Sequence, residues 1–123
     1  MKDRGEGAEA REQFRQGVEL FNAQKFFEAH ESWEAIWLDA REPNKTFLQA
    51  ITQVSAAFHH YAQGNRAGAK SLLQKGLKKL EQFPAGYRGL MLENFRAELR
   101  EWVKALTKRE DDPKAERPKI EWE

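Results

Sequence analysis

Residues 20–37 read Leu20-Phe21-Asn22-Ala23-Gln24-Lys25-Phe26-Phe27-Glu28-Ala29-His30-Glu31-Ser32-Trp33-Glu34-Ala35-Ile36-Trp37. Phe26, Ala29, Trp33, Ile36 and Trp37, with Ala40 beyond them, recur at helical spacing, which predicts an amphipathic helix with one apolar stripe. The polar break at Asn22-Ala23-Gln24-Lys25 separates it from an upstream run, residues 11–22, where Phe14, Val18 and Phe21 share a face with Leu20 beside them. Arg11, Glu12, Arg15 and Glu19 fill the opposite face of that run, so the first two helices are expected to form a hairpin.

Pro43 disfavours helical geometry in the residue before it and is expected to end the second helix. Residues 46–61 then carry Phe47, Ile51, Val54, Phe58 and Tyr61 on one stripe, widened by Leu48 and Ala50. A helix apolar on two sides should lie centrally. Gly64-Asn65 reads as a helix stop followed by an N-cap, because glycine takes left-handed geometry cheaply and the asparagine side chain accepts from orphan N–H groups. A fourth helix is predicted over residues 66–82 through Ala69, Leu72, Leu73, Leu77 and Leu80. After the turn Phe83-Pro84-Ala85-Gly86-Tyr87, a fifth runs through Leu92, Phe95, Leu99, Trp102, Val103 and Leu106. The fold class is therefore all-α: a single compact bundle of about five helices.

Three segments follow: a flexible lead-in at 1–10, a helical domain at 11–107, and a charged, proline-containing tail at 108–123. Ile120 and Trp122 are the only large apolar groups in the tail, which either docks through them or stays mobile. A chain of 123 residues is long enough to bury one core without staples. It has no cysteine, so disulfides and thiolate metal sites are excluded. No apolar run approaches the roughly 18 to 20 residues that span a bilayer, and a cytoplasmic protein with no membrane partner is expected. The balance of 21 basic and 20 acidic groups gives a net charge of +1, so nucleic acid is not expected as a partner.

Gly17, Phe26, Ala29, Trp33 and Ile36 place small and large residues much as a tetratricopeptide hairpin does, giving a TPR-like first hairpin. A looser echo through Gly64, Ala69, Leu73 and Gly76 comes about 40 residues later, beyond the roughly 34-residue tetratricopeptide period. Two hairpins fall short of a stable solenoid, so a closed bundle is preferred.

The segment 20–37 resembles the signature of the DUF309 family. A second block resembles another stretch of that family: Phe47-Leu48-Gln49-Ala50-Ile51-Thr52-Gln53-Val54-Ser55-Ala56-Ala57-Phe58-His59-His60-Tyr61, followed by Gly64-Asn65 and Ala69. With Tyr87-Arg88-Gly89-Leu90 the resemblance covers roughly residues 14 to 106. Two departures are that Gln24 and Ala50 stand where the family pattern has glycine. The resemblance implies a small helical bundle with a polar cluster between the second and third helices, and no assigned activity.

That cluster is legible in the residues themselves. Glu28, His30, Glu31 and Glu34 lie on the second helix beside Trp37, and Gln49, Gln53 and His60 recur along one face of the third. A pocket between those faces is expected. It would hold either a small ligand or, through His30, Glu34 and His60 with Glu31 nearby, a divalent metal; His59 and His60 compete for the inward position. The spacing fits neither His-Glu-x-x-His, since Glu34 stands in its last place, nor Glu-x-x-His. The structural alternative is that His30 and Glu31 hydrogen-bond a neighbouring backbone, Gln49 or Gln53 and so set how the two helices pack. Trp33, Trp37 and Trp102 are expected as packing groups. Nucleophilic catalysis has little to build on: there is no Gly-x-Ser-x-Gly, and Ser32, Ser55 and Ser71 lie inside helices.

Charge is local. Residues 25–42 hold five acids against two bases, and residues 65–82 hold Arg66, Lys70, Lys75, Lys78 and Lys79 against Glu81. These faces would pack together within the chain, join two copies of it, or stay solvated, since exposed pairs contribute little energy. The expected function is a non-enzymatic interaction or small-ligand-binding module, with a protein partner or self-association and no cofactor. The alternative is a metal-dependent hydrolase or oxidoreductase with a His/Glu site between the second and third helices.

Overall fold

The computed structural model describes residues 7–108 and 117–123. Five α-helices follow one another: α1 (Ala8–Asn22), α2 (Phe26–Trp37), α3 (Asn44–Ala62), α4 (Arg66–Leu80) and α5 (Leu92–Lys108), with a 3-10 turn at Tyr87–Gly89 before the last. Each packs on its neighbour in sequence: α1 on α2, α2 on α3, α3 on α4, α4 on α5. The described residues form an all-α compact bundle with no strand, and the tetratricopeptide likeness of α1–α2 remains one of sequence spacing.

α3 is central, as its two apolar sides require: Phe47, Leu48, Ala50, Ile51, Val54, Ala57 and Phe58 are all buried. Around it Phe14, Phe21, Phe26, Phe95, Trp33 and Trp102 interlock, with Phe21 edge-on to Phe58 and to Phe95 and Trp102 edge-on to Phe58. Each fully buried ring contributes about 1.5–3 kcal/mol relative to exposure. Close approach of helix backbones uses small residues. A Cβ on Gly17 would fall within 2.6 Å of three atoms of the Trp33 indole, and one on Gly76 would come 2.8 Å from the Ala50 carbonyl oxygen.

The helix ends differ from the sequence expectation in two places. α1 starts at Ala8, so residues 8–10 of the expected lead-in are helical, while 1–6 lie outside the described residues. α2 stops at Trp37 rather than at Pro43. Leu38 is 66% exposed, and the Ala40 N–H closes a turn on the Trp37 carbonyl. Gln24, where the DUF309 pattern has glycine, closes the α1–α2 turn at φ +65, a left-handed geometry that glycine takes without strain. At the α3–α4 turn Gly64 has φ +84 and the Asn65 side chain accepts from the Gly68 N–H at 2.9 Å, as the sequence predicts.

The end of the chain docks. Ile120 is buried, and the Asn22 amide clamps it from both sides, donating to the Ile120 carbonyl and accepting from its N–H, both at 2.8 Å. Leu90 and Trp122 form an antiparallel bridge, flanked by Met91 N–H to the Glu121 carbonyl and Glu123 N–H to the Gly89 carbonyl. Residues 109–116 of the expected tail lie outside the described residues.

On the surface of α5, Glu93 receives Arg100 at 3.0 Å and Arg96 at 2.9 Å. The hydrogen bond from Arg100, then that from Arg96, holds the Glu93 carboxyl below its ordinary value. A carboxyl depressed in the folded state stabilises the fold fully above the ordinary carboxylate range and loses that contribution as pH falls through the folded value, because the unfolded chain takes the proton first. Thermal melts of the wild type and Glu93→Gln against pH are expected to converge toward acid, with the variant showing the shallower dependence. Parallel curves would contradict this.

Candidate functional site

The register of α2 on α3 is set by a buried serine. Ser55 Oγ donates to the Phe26 carbonyl at 2.6 Å, and the Phe26 ring lies 5.4 Å from Phe58. A hydroxyl without a partner there would leave a desolvated polar group, so the bond holds the two helices in one alignment. A polar tie between these helices, expected from His30 and Glu31 to a neighbouring backbone, Gln49 or Gln53, is made here by Ser55 to a backbone carbonyl.

That alignment places Phe27 between imidazoles of two helices. Its ring stacks against His30 at 6.2 Å and 12° and meets His59 of α3 at 5.3 Å. Phe27 is 48% exposed, yet it separates the histidines of the two helices. His30 is half-buried with its Nδ1 shielded from solvent and without a hydrogen-bond partner among the described residues. His59, not His60, is the imidazole that reaches toward α2. His60 Nδ1 lies 3.3 Å from the Asn65 side-chain nitrogen, at the α3–α4 turn.

Other expected residues diverge. Gln53 accepts from Lys79 of α4 at 3.1 Å, so this face of α3 is turned to α4 and not to α2. Gln49 is half-buried one turn before it. Trp37 is half-buried at the far end of α2, with the Lys45 ammonium 5.8 Å from its ring. Glu28, Glu31 and Glu34 are all exposed. Among the described residues no group of three or more His, Asp or Glu side chains is gathered closely enough to hold a metal ion, so the set His30, Glu34 and His60 is not brought together. Ser32 donates to the Gln13 carbonyl at 3.2 Å. Ser55 is likewise committed to a backbone carbonyl.

What the outer face of α2 offers is a surface. Phe27, Glu31, Glu34 and Leu38 are spaced four, three and four residues apart and are all exposed, and Leu38 keeps helical dihedrals at the C-cap. They form one stripe with an apolar group at each end and two carboxylates between. Phe27 was not among the residues expected from sequence. The signal was there: in Phe26-Phe27 only Phe26 shares the stripe of Ala29 and Trp33, and Phe27 lies about 100° away around the helix.

No helix among the described residues is long and apolar enough to cross a membrane. An uncharacterized protein of Aquifex aeolicus (strain VF5) is 28% identical over 82 residues, which cover 66% of this chain and 25% of the relative. The chain thus spans about a quarter of the length of the protein it resembles. Residues 14–72 match the family described as a domain of unknown function, DUF309, and the match ends in α4, before Tyr87–Leu90. From the middle of α1 through α2 and α3 into α4, the chain is thus similar to DUF309.

Proposed function

We propose that this protein is a non-enzymatic helical binding module whose contact surface is the outer face of α2, and that the occupant of that face is a second copy of the chain, through α4. The observation that carries the reading is the exposed stripe Phe27, Glu31, Glu34 and Leu38. Phe27 and Leu38 are 48% and 66% exposed, and a partner laid along α2 would cover both. The carboxylates between them ask for a basic counterpart. α4 carries one, with Lys75 and Lys78 exposed and Arg66 and Lys70 half-buried.

α2 packs on α1 and α3, and α4 packs on α3 and α5, so the acidic and basic faces do not neutralise each other as a packed pair within one chain. The complementary faces are therefore available to a second copy of the chain. Such a surface is small and charged, and association should be weak and sensitive to salt.

Sedimentation of the wild type is expected to show a monomer–dimer equilibrium with a dissociation constant of about 10–100 μM at low ionic strength, weakening as salt is added. Glu31→Lys/Glu34→Lys and Lys75→Glu/Lys78→Glu should each be monomeric, because each then presents like charges to its own kind. An equimolar mixture of the two should form the pair again. A wild type that stays monomeric at about 1 mM in low salt, or variants that associate as well as it does, would remove the reading.

A further inference from the structure

Residues 117–123 lie against the end of α1, the middle of α5 and the 3-10 turn. We infer that this seat is a peptide-recognition site in which residues 117–123 act as a built-in competitor, and that its partner is an extended segment of another protein carrying a basic side chain and, three residues later, a branched aliphatic one. The seat shares no residue with the exposed stripe of α2, and the inference stands independently of it.

The segment is held mainly by its backbone. Asn22, at the end of α1, turns its amide to Ile120, donating to the carbonyl and accepting from the N–H, both at 2.8 Å. An amide offers a donor and an acceptor side by side, which is what one residue of extended backbone requires whatever its side chain. Glu98 of α5 accepts from the Lys119 N–H at 3.4 Å. Beyond Ile120, the Met91 N–H donates to the Glu121 carbonyl and the Glu123 N–H to the Gly89 carbonyl, both at 2.8 Å, so residues 89–91 pair with the segment in the manner of strand addition. Main-chain pairing of this kind supplies affinity, and pockets for alternate side chains supply the choice of sequence.

Two positions make that choice. Burial alternates along the segment, with Pro118 and Ile120 inward and Lys119 and Glu121 exposed, the period of an extended chain with one face covered. Ile120 enters the core cluster at 3% exposure, a place that suits a branched aliphatic group. Three residues earlier, the Arg117 guanidinium lies 5.1 Å from the centre of the Tyr61 ring and 5.2 Å from that of Trp102, two rings set edge-on to each other. An aromatic corner of this kind attracts a cation, and Glu98, one turn before Trp102, puts a carboxylate alongside. A segment with few buried side chains belongs to the part of a fold that opens most readily, and here only Pro118 and Ile120 are buried. Trp122, two places after the aliphatic position, stays 46% exposed and leaves that end of the seat incompletely filled. A partner with a better-fitting residue there displaces the tail, whereas a second copy brings only the identical segment.

The test titrates the full chain, as wild type and as Ile120→Asp, with two capped peptides. One has the sequence of residues 117–123; in the other every residue is serine except those matching Arg117 and Ile120. Ile120→Asp places a charge at the core position, unseats the tail and leaves the seat open. It is expected to bind the first peptide with a dissociation constant between about 10 μM and 1 mM and the second no more than about tenfold more weakly, with shifts at the amides of residues 22, 89–91, 98 and 102. The wild type should bind each at least about tenfold more weakly, because its own tail competes at an effective concentration on the order of mM. Adding Asn22→Ala to Ile120→Asp should weaken binding about tenfold by removing the clamp. Ile120→Ala opens the seat with less disturbance and should behave in the same way if Ile120→Asp melts too low to titrate. Absence of binding to both Ile120 variants below about 10 mM would overturn the proposal. So would equal binding by the wild type, or binding of the first peptide alone, which would make the seat a dock for one sequence. Amides of residues 119–123 that move with wild-type concentration would assign the seat to a second copy and overturn it as well.

Discussion

Gly17→Ala is expected to remove about 2–4 kcal/mol of folding stability, although alanine is the better helix former by about 1 kcal/mol. The reason is the indole beneath it. A Cβ at position 17 would enter the ring of Trp33, which is fully buried and anchored by its own hydrogen bond, Nε1 donating to the Phe14 carbonyl at 3.1 Å. Trp33 also lies 6.2 Å from Phe14 and 6.1 Å from Phe21, so the ring has no room to withdraw. Either α1 moves off α2, or the indole leaves its minimum and gives up a hydrogen bond of about 1 kcal/mol. Denaturant melts of Gly17→Ala, Trp33→Phe and the double variant check this. The smaller ring should relieve much of the clash, so the alanine should cost at least about 1 kcal/mol less in the Trp33→Phe background. Equal costs in both backgrounds, or a neutral Gly17→Ala, would show that the close approach is not what holds the hairpin.

Arg96→Met is expected to cost about 2–4 kcal/mol while keeping most of the apolar stem. Arg96 is 7% exposed, and one of its nitrogens, Nη1, donates to the carbonyls of both Leu80 and Phe83 at 2.7 Å. Leu80 ends α4, where the last carbonyls of a helix have no partner within it, and Phe83 lies in the turn that follows. Methionine would leave the Phe83 oxygen without its donor and the Leu80 oxygen with the Phe83 N–H alone, at about 1–3 kcal/mol for the first and a further bond lost at the second. The bond to the half-exposed Glu93 adds little by comparison. Hydrogen exchange at the end of α4 separates this account from simple loss of volume: amides of residues 81–83 should open earlier in Arg96→Met, and unchanged protection there would count against it.

The five helices and the central place of α3 were legible because hydrophobic period alone decides them: Phe47, Ile51, Val54 and Phe58 leave one arrangement that buries them. Arg96 was legible too, in a sense that sequence reading missed. It falls on the stripe of Leu92, Phe95 and Leu99, and a charge on an apolar stripe has to find partners. What it finds, the end of a different helix, is not encoded in any local period. The same holds for Asn22 and Ile120, joined across nearly the whole chain.

The candidate site was legible only in part, for a related reason. Period places His30 near α3 but does not say which of His59 and His60, about 100° apart on their helix, returns the contact. Gln53 could have served either neighbour, and Lys79 of α4 reaches it first. Three glutamates looked like ligands because they cluster in sequence. On the helix they turn outward, and the exposed Phe27 that completes their stripe reads as core in any count of composition.

A dilution series of the ¹⁵N-labelled wild type at low ionic strength tests the binding-module account most directly, because it reports position and association together. Amide shifts should move with concentration in residues 27–38 of α2 and around Lys75 and Lys78 of α4, and should return to their dilute values on adding salt. Spectra that do not change with concentration, or changes confined to surfaces away from α2, would contradict it.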